Sequence, residues 1–291
     1  SEMCIRDSTI IDLVDNGFEV ISIDDNSRSE IEAIERVQNI TGKKVKNYTT
    51  NLCDLAATKD IFFENPGITG IIHFAAYKLV PESVEQPILY YRNNLNALLN
   101  ILSCASEFVV PYFVFSSSCS VYGNVKKLPV TESSPIQKPE CPYASTKLFG
   151  EDMTYDFVQQ HSTQAAILRY FNPVGAHESG KNGELPLGTP QNLAPIITQF
   201  AIGKLPELIV KGTDYPTRDG TCIRDYIHIM DIANAHTKAL QYLIENKNES
   251  NYEIFNLGSG DGVTVLEAIQ AFEKAAGMKL NYKTGPRRPG D

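Results

Sequence analysis

Tyr143 and Lys147 are the two residues in this sequence whose types and spacing most suggest acid–base chemistry. They lie four positions apart near the start of a predicted helix, which places both side chains on one face. A phenol has an ordinary pKa of about 10, too high for a base at neutral pH, but a neighbouring ammonium favours the phenolate. The pair could therefore exchange a proton with a substrate hydroxyl. The same spacing also occurs by chance in many helices without catalytic function.

Three serines, Ser116 to Ser118, end a predicted strand ahead of that helix. A serine hydroxyl there could hydrogen-bond a substrate hydroxyl and share the path of the proton. The alternative is a serine-rich strand end that only caps backbone groups. The position at the end of a strand favours the functional interpretation.

The elements that must position these residues alternate between strands and helices. Short apolar runs rich in β-branched and aromatic residues predict strands at 18–24, 69–74, 112–116 and 165–170. Helical patterns occupy about 28–41, 55–64, 81–108 and 143–160. This alternation predicts a parallel sheet covered on both faces, and such sheets bind ligands at the carboxyl ends of their strands.

The sequence changes character after Asn172. Residues 173–191 are rich in Gly, Pro, Asn and Glu and predict a loop. Further helices are predicted at about 193–202, 230–244 and 264–276, and further strands at 207–211 and 253–257. We therefore predict an α/β protein, with a doubly wound parallel sheet in residues 1–172 and a smaller α/β region in residues 173–291.

Charge and composition exclude several classes of partner. The net charge of −9 argues against nucleic acid or an anionic membrane as the main partner. The six cysteines form no C-x-x-C pair, which favours reduced thiols and a cytoplasmic location. The longest apolar run, 108–115, is far shorter than the roughly 20 residues of a membrane helix, and no signal peptide is visible. No His, Cys or Asp spacing resembles a metal site.

The sequence resembles the extended short-chain dehydrogenase/reductase superfamily and, within it, the UDP-glucose 4-epimerase family. The serines followed by Tyr-x-x-x-Lys carry the first resemblance. The second is carried by blocks that are spread along the chain, namely HFAAYK at 73–78, YYRNN at 90–94, SSSCSVYG at 116–123, RYFNPVGA at 169–176, DYPT at 214–217, RDYIH at 224–228 and PRRPGD at 286–291.

The resemblance implies a fold, a reaction and an assembly. It implies a Rossmann-type NAD-binding domain at 1–172 and a UDP-sugar-binding domain at 173–291. The implied reaction interconverts UDP-glucose and UDP-galactose at C4 through a transient 4-keto sugar and tightly bound NAD. Tyr143 would be the base, Lys147 would tune it and bind the nicotinamide ribose, and Ser118 would bridge the sugar oxygen and Tyr143. A homodimer would form through helices at about 81–108 and 143–160.

The resemblance also implies the binding residues. Asp24 would bind the adenosine ribose and favour NAD over NADP, whereas nearby Arg28 is interpreted as a solvated cation. The other cofactor contacts would be Asn51, Leu52, Phe74, Ala75, Ala76, Lys78, Asn93, Ser116 and Tyr170, together with Tyr143 and Lys147. The substrate contacts would be Ser118, Asn172, Asn192, Leu193, Arg224, Arg288 and Asp291.

One departure from the family pattern concerns the amino end. The family begins with a strand and a glycine-rich loop that holds the pyrophosphate at a helix N-terminus. Residues 1–8 occupy that place without a glycine. We therefore predict that the first strand, this loop and the C-terminal part of the second domain are missing. We expect the chain to bind NAD poorly, which would leave it with little or no activity, although its parent would be an epimerase.

Three other functions remain open. A nucleotide-sugar 4,6-dehydratase typically has an Asp-Glu pair after the catalytic serine or threonine, where this sequence has Cys119 and Ser120. A decarboxylase of the same superfamily would need an acidic residue nearby and a basic pocket, and neither is evident. A non-catalytic NAD or nucleotide-sugar sensor would have no need of Tyr143 and Lys147. Whether N-acetylated UDP-hexosamines are accepted cannot be read from the sequence.

Overall fold

The computed structural model describes residues 2–29, 32–125, 127–184, 188 and 190–287. Its helices are α1 (Glu2–Asp15), α2 (Ala33–Thr41), α3 (Leu55–Glu64), α4 (Val80–Glu85), α5 (Pro87–Glu107), α6 (Pro142–Gln160), α7 (Leu193–Ala201), α8 (Ile229–Ile244) and α9 (Val265–Ala276). Its strands are β1 (Ile21–Ile23), β2 (Lys46–Tyr48), β3 (Gly70–His73), β4 (Tyr112–Ser118), β5 (Gln164–Tyr170), β6 (Asn172–Val174), β7 (Leu208–Lys211), β8 (Ile223–His228), β9 (Tyr252–Leu257), β10 (Gly262–Thr264) and β11 (Tyr282–Gly285).

The centre of the fold is a four-stranded parallel sheet in the order β3-β4-β5-β9. Strand β4 pairs with β5 along its whole length, from Tyr112 opposite Gln164 to Ser118 opposite Tyr170. Helices α5 and α6 pack on the face that carries Phe113 and Phe115. Helix α8 packs on the other face, around Val114. Both faces of the sheet are covered, in keeping with the apolar runs 113–115 in β4 and 165–168 in β5. The predicted α/β fold with helices on both faces is confirmed.

The parallel strands at the amino end form a second sheet. Strands β1 and β2 pair in parallel, with Ile21 opposite Lys46, and within the described ranges β1 has no pairing with β3. No helix or strand was predicted for residues 2–8, but they form the N-terminal half of helix α1. Cys4 and Ile5 account for this, because they are buried against Tyr170 and Ile229 at the end of the central sheet.

The helix predicted at 81–108 is two helices, α4 and α5, with Gln86 between them in a non-helical conformation. The following Pro87 explains the break, because the proline ring disfavours a helical conformation in the residue before it. Strand β8 was not predicted either. Its residues, IRDYIH, mix charged and apolar types without a simple alternation, and the strand is only half-buried.

The chain after residue 172 supplies elements both to a smaller region and to the central sheet. Strands β10, β8 and β6 form one small sheet, and β11 pairs with β7 in another. Strand β9, however, pairs with β5, and α8 covers the central sheet. The division into 1–172 and 173–291 stays a prediction. No helix in the described part of the chain has the length and apolar character needed to cross a membrane.

Two histidines are buried in the core beside the carboxyl ends of β3 and β4. His73 ends β3 and stacks on the rings of Phe113 and Phe115. His236 on α8 lies 4.6 Å from the Phe74 ring, centroid to centroid. Burial lowers the pKa of His73 to about 3 and that of His236 to about 4, and the Lys147 ammonium acts in the same direction. Both rings are therefore neutral in the folded protein at neutral pH.

His236→Gln should flatten the dependence of stability on pH. An unfolded histidine gains a proton near its ordinary pKa of about 6.5, whereas the folded ring stays neutral until pH falls to about 4. Wild-type stability therefore falls as pH falls through this window, because the unfolded state binds the extra proton. Removing His236 should reduce the slope by about 1.4 kcal/mol per pH unit below pH ~6. Urea unfolding measured between pH 7 and 4.5 tests this.

The matched control is His161→Gln, since His161 is exposed and stacks on Phe157. It should leave the slope close to that of the wild type. Identical slopes for the wild type and His236→Gln would show that His236 is already protonated in the folded state.

Candidate active site

Helix α6 places Tyr143 and Lys147 in its first turns. The helix starts at Pro142, and proline suits this first position because its missing N–H would have no helical partner there. Tyr143 is 8% exposed and Lys147 3% exposed. Their side chains lie against the carboxyl end of β4, as expected for a parallel sheet.

The Lys147 ammonium is held against the end of β4. Its Nζ donates a hydrogen bond of 2.8 Å to the backbone carbonyl of Ser116. The same Nζ lies 5.8 Å from the centroid of the Tyr143 ring and 5.5 Å from that of Phe115. The cation is thus beside the phenol ring in a buried setting, where electrostatic interactions are stronger than in water. The predicted association of Tyr143 with Lys147 is confirmed.

The serines at the end of β4 have different partners. The Ser118 Oγ accepts hydrogen bonds from the Ser120 backbone N–H, at 3.2 Å, and from the Ser120 hydroxyl, at 3.0 Å. It therefore caps the 3-10 turn Cys119–Tyr122, the structural alternative considered for it. These two bonds occupy the lone pairs of the Ser118 hydroxyl, and its proton can still be donated to a substrate oxygen.

Ser116 is fully buried, and its hydroxyl lies 2.9 Å from Nε2 of His236. Because Nδ1 of His236 lies 2.8 Å from the Ile232 carbonyl, Nδ1 carries the proton and the Ser116 hydroxyl donates to Nε2. A cofactor contact in which the Ser116 hydroxyl is the donor would require that bond to break. Tyr170, another predicted cofactor residue, is buried with its ring 6.1 Å from that of His236.

Asn94 organises the loop that follows β3, which contains the predicted cofactor residues Phe74, Ala75, Ala76 and Lys78. Its Oδ1 accepts from the Tyr77 backbone N–H at 2.7 Å, and its Nδ2 donates at 3.0 Å to both the Tyr77 carbonyl and the Thr146 hydroxyl. The loop is thereby tied to α6 between Tyr143 and Lys147. The sequence analysis selected neighbouring Asn93, whose Nδ2 donates to Asn94. An amide on the buried face of α5 was the signal that could have identified Asn94.

The loop after β1 lies against this same region. Arg28 donates to Glu82 at 2.8 Å and covers the Tyr77 ring at 4.6 Å. Its side chain stays exposed, so its interpretation as a solvated cation is confirmed, with an ion pair added. Asn51 caps a turn by accepting from the Cys53 N–H at 2.8 Å. The carbonyl of Leu52 accepts from Asn100 of α5 at 2.8 Å.

Asp24 follows β1, and both of its carboxylate oxygens have protein partners. Its Oδ1 accepts from the Asn26 N–H and the Ser29 hydroxyl, each at 2.7 Å. Its Oδ2 is bound by the guanidinium of Arg6. Arg6 also donates to the buried Asp7, from Nε at 2.9 Å and from Nη2 at 2.7 Å. The carboxylate predicted to bind a ribose is therefore engaged by an arginine from α1.

The predicted substrate residues that the structure describes are dispersed over four elements: β4, β6, β8 and α7. Arg224, on β8, lies close enough to Cys119 to oppose the effect of burial, which raises the pKa of that thiol to about 11. Arg224 Nη1 donates to the Ile223 carbonyl at 3.1 Å. Asn172 donates to the Asp225 carbonyl at 3.0 Å, and Asn192, at the start of α7, donates to Glu184 at 2.8 Å.

The remaining predictions at this site have mixed outcomes. Leu193 packs into the apolar cluster of α7, β7 and α9, and Arg288 and Asp291 lie outside the described residues. His228 accepts from the Met230 N–H at 3.2 Å and caps α8. Within the described ranges, no group of three or more His, Cys, Asp or Glu residues is arranged to hold a metal ion.

Two buried charged residues beside the site were not predicted. Glu151 lies one turn beyond Lys147 on α6, and Arg169 lies between apolar neighbours on β5; they form an ion pair. A charge flanked by Leu168 and Tyr170 in an apolar strand was the available signal for Arg169. All six cysteines are free thiols.

Comparison with known proteins relates this arrangement to nucleotide-sugar enzymes. A family model described as GDP-mannose 4,6 dehydratase matches residues 9–291. The UDP-glucose 4-epimerase of Schizosaccharomyces pombe is 46% identical, over 99% of this chain and 81% of its own length. That of Bacillus subtilis is 43% identical, over 99% of this chain and 84% of its own.

The fold matches solved structures equally well. The UDP-glucose 4-epimerase of Bifidobacterium longum, in complex with NAD+ and UDP, has a TM-score of 0.91 and 46% identity. The enzyme from Stenotrophomonas maltophila, with bound NAD and formylated UDP-arabinopyranose, has a TM-score of 0.94 and 40% identity. Both matches cover 99% of this chain and 84% of the solved chain. Identity of this extent over nearly the whole sequence shows that the chain belongs to the UDP-glucose 4-epimerase family.

Proposed function

We propose that this protein interconverts UDP-glucose and UDP-galactose by inverting C4 of the sugar, with NAD as a cofactor that stays bound through the cycle. The observation that carries the proposal is the buried Lys147 ammonium, held by the Ser116 carbonyl beside the Tyr143 ring. Relatives that are named UDP-glucose 4-epimerase support the same reaction.

The residues around Tyr143 and Lys147 fit an NAD molecule. Tyr143, Lys147 and the loop after β3 lie together at the carboxyl ends of parallel strands, where dinucleotides bind in such sheets. Asp24 is the residue that would hold the adenosine ribose, once it is released from Arg6. When bound, NAD supplies the transient oxidation of C4 to a ketone and its reversal.

Each residue of the site has a role that follows from its chemistry. Tyr143 takes the proton of the sugar 4-hydroxyl and returns it, because the adjacent ammonium of Lys147 stabilises the phenolate. Ser118 hydrogen-bonds the sugar oxygen at the end of β4. The nucleotide must stay anchored while the keto sugar turns, and arginine suits its diphosphate because a planar guanidinium donates paired hydrogen bonds. We assign this anchoring to Arg224 and Arg288, with Asn172, Asn192, Leu193 and Asp291 completing the substrate contacts.

A 4,6-dehydratase is the second candidate because the matching family model carries that description. Dehydration needs an acid and a base beside the catalytic hydroxyl. Cys119 and Ser120 fill the positions after Ser118, Ser120 donates to Ser118, and burial raises the pKa of Cys119 to about 11. Neither residue suits that role, so we favour the epimerase.

We also propose that the protein is a cytoplasmic homodimer. Apolar side chains of α5 and α6 are left exposed: Ile88 by 66%, Leu99 by 49% and Phe149 by 45%. Ile88 and Leu99 lie on one side of α5, three turns apart, and the Phe149 ring lies 6.2 Å from that of Tyr91 across the two helices. An exposed apolar surface of this kind favours burial against a second copy. Six free thiols favour a reducing compartment.

Tyr143→Phe should lower kcat for conversion of UDP-galactose to UDP-glucose by about 100-fold or more, because it removes the hydroxyl that exchanges the proton. Chromatographic separation of the two UDP-sugars measures this. Tyr155→Phe, the same change at a half-exposed position on α6, is the matched control and should keep wild-type kcat. Equal activity of Tyr143→Phe and wild type would refute the proposed role. Formation of a 4-keto-6-deoxy sugar would instead indicate the dehydratase.

Arg6→Ala/Asp7→Ala should bind NAD about tenfold more tightly than the wild type, because Asp24 loses a competing charged partner worth ~1.4 kcal/mol. Both residues are changed because Asp7 alone would remain as a buried carboxylate; burial already raises its pKa. Isothermal titration with NAD is the measurement. Lys43→Ala, which removes a cation that donates to the Val14 carbonyl instead, should leave the affinity unchanged. Equal affinity of all three proteins would show that Arg6 does not compete for Asp24.

Leu99→Glu/Phe149→Glu should yield a monomer, because it places two carboxylates in the proposed apolar interface. Sedimentation of the purified protein at micromolar concentration gives the mass. Ile202→Glu adds charge at another exposed apolar position, beyond α7, and should remain dimeric. A monomeric wild-type protein would exclude the proposed dimer.

A further inference from the structure

A buried polar cluster lies on the same helix face as the proposed catalytic pair. Tyr143, Lys147 and Glu151 follow one another at intervals of four residues on α6, so their side chains share one face. All three are buried. Glu151 is therefore the next charged group inward from Lys147 along the helix.

Glu151 joins α6 to both central strands. Its Oε1 accepts from Arg169 Nε at 2.9 Å, and its Oε2 accepts from Arg169 Nη2 at 2.5 Å. Its Oε1 also accepts a hydrogen bond from the Ser117 hydroxyl. Ser117 and Arg169 face each other in the register of β4 and β5. One carboxylate thus fixes the helix to two paired strands.

The contacts continue from Arg169 toward the turn after Ser118. Arg169 Nη1 donates to the Tyr122 hydroxyl at 2.9 Å, and its guanidinium covers the Tyr122 ring at 4.8 Å. The Tyr122 hydroxyl donates to Asn256 of β9 at 2.7 Å. Tyr122 ends the 3-10 turn that Ser118 caps. We call these five residues the Glu151 cluster: Ser117, Tyr122, Glu151, Arg169 and Asn256.

The energetics favour a geometric role for this cluster over a purely stabilising one. Burial opposes the charge of Arg169, but the paired Glu151 carboxylate outweighs it and raises the pKa of the guanidinium. A buried ion pair recovers in attraction little more than it loses in desolvation, and apolar residues of similar volume often stabilise a fold as well. The ion pair instead fixes an orientation, because a bidentate contact permits one relative orientation of the guanidinium and the carboxylate.

The cluster contacts the residues that flank both parts of the proposed site. Ser117 lies between Ser116, whose carbonyl holds the Lys147 ammonium, and Ser118. Tyr122 fixes the far end of the turn that begins after Ser118. A change in the rotation of α6 relative to β4 would move Lys147 away from that carbonyl and Tyr143 away from Ser118.

We propose that Glu151 and Arg169 are positioning residues, which set the rotation of α6 and thereby the geometry of Tyr143, Lys147 and Ser118. This inference rests on the proposed epimerase function for its kinetic consequence. Its structural consequence, a phenol held beside an ammonium, applies to the protein without NAD or substrate.

Three variants test the proposal. Ser117→Ala and Tyr122→Phe each remove one hydroxyl group, which makes one hydrogen bond in Ser117 and two in Tyr122. Both keep the buried ion pair, so both should fold. Glu151→Leu/Arg169→Leu removes the pair without leaving an uncompensated charge. Thr154→Val is the matched control. Thr154 is a fully buried residue of α6, and its hydroxyl donates to the Gly150 carbonyl of the same helix. Thermal unfolding shows which variants remain folded.

The first readout is titration of the Tyr143 phenol without ligands. Phenolate absorbance at 295 nm is recorded against pH for each variant and for the same variant carrying Tyr143→Phe, and the difference isolates Tyr143. His73 and His236 also face Lys147, but both are neutral throughout this range. In Glu151→Leu/Arg169→Leu and in Ser117→Ala, the midpoint of the Tyr143 titration should rise by about half a pH unit or more. Thr154→Val should keep the wild-type midpoint.

The second readout is steady-state kinetics with UDP-galactose. The cluster variants should lose about 10- to 100-fold in kcat, as displaced catalytic groups do, with a change in KM of less than about threefold. Unchanged midpoint and unchanged kcat in the folded cluster variants would overturn the proposal. If the wild type has no epimerase activity, the proposed function fails, and the titration still decides whether the cluster positions Tyr143.

Discussion

The burial of the Lys147 ammonium beside the Tyr143 ring is the constraint around which the site is arranged. A buried cation loses its hydration, which costs several kcal/mol unless polar groups replace the water. The Ser116 carbonyl and the faces of Phe115 and Tyr143 surround it. They are available because β4 ends where α6 begins to cover the sheet. His73 and His236 remain neutral beside it, since burial and this cation both disfavour their protonation.

Polar side chains connect the separate loops around this cation. Asn94 joins the loop after β3 to α6, and Arg28 joins the loop after β1 to Tyr77 and Glu82. The Glu151 cluster joins α6 to β4, β5 and β9. Asn94 and the Glu151–Arg169 pair are buried and would be costly to leave without partners, so their contacts restrict the segments that they join. The site is therefore held by its polar partners as much as by the apolar core beneath it.

The amino-terminal helix combines apolar packing on the central sheet with a charged contact to Asp24. Helix α1 packs through Cys4 and Ile5 on the central sheet, and the chain superposes on epimerases with bound NAD over 99% of its length. Yet Arg6 binds Asp24, the carboxylate that would otherwise be available to a ribose. Packing depends on the apolar face of the helix, whereas the proposed ribose contact depends on the few residues near Asp24.

The sequence by itself determined the α/β class, the elements of the central sheet and the pair Tyr143 and Lys147, because periodicity and spacing of four are local properties. It also indicated the family through blocks spread over the chain. The partners of those residues were decided only by the tertiary structure. Arg169 lies 18 residues from Glu151, His236 lies 120 residues from Ser116, and Arg6 lies 18 residues from Asp24. No local pattern encodes such contacts, since they arise where strand pairing and helix packing bring distant side chains together.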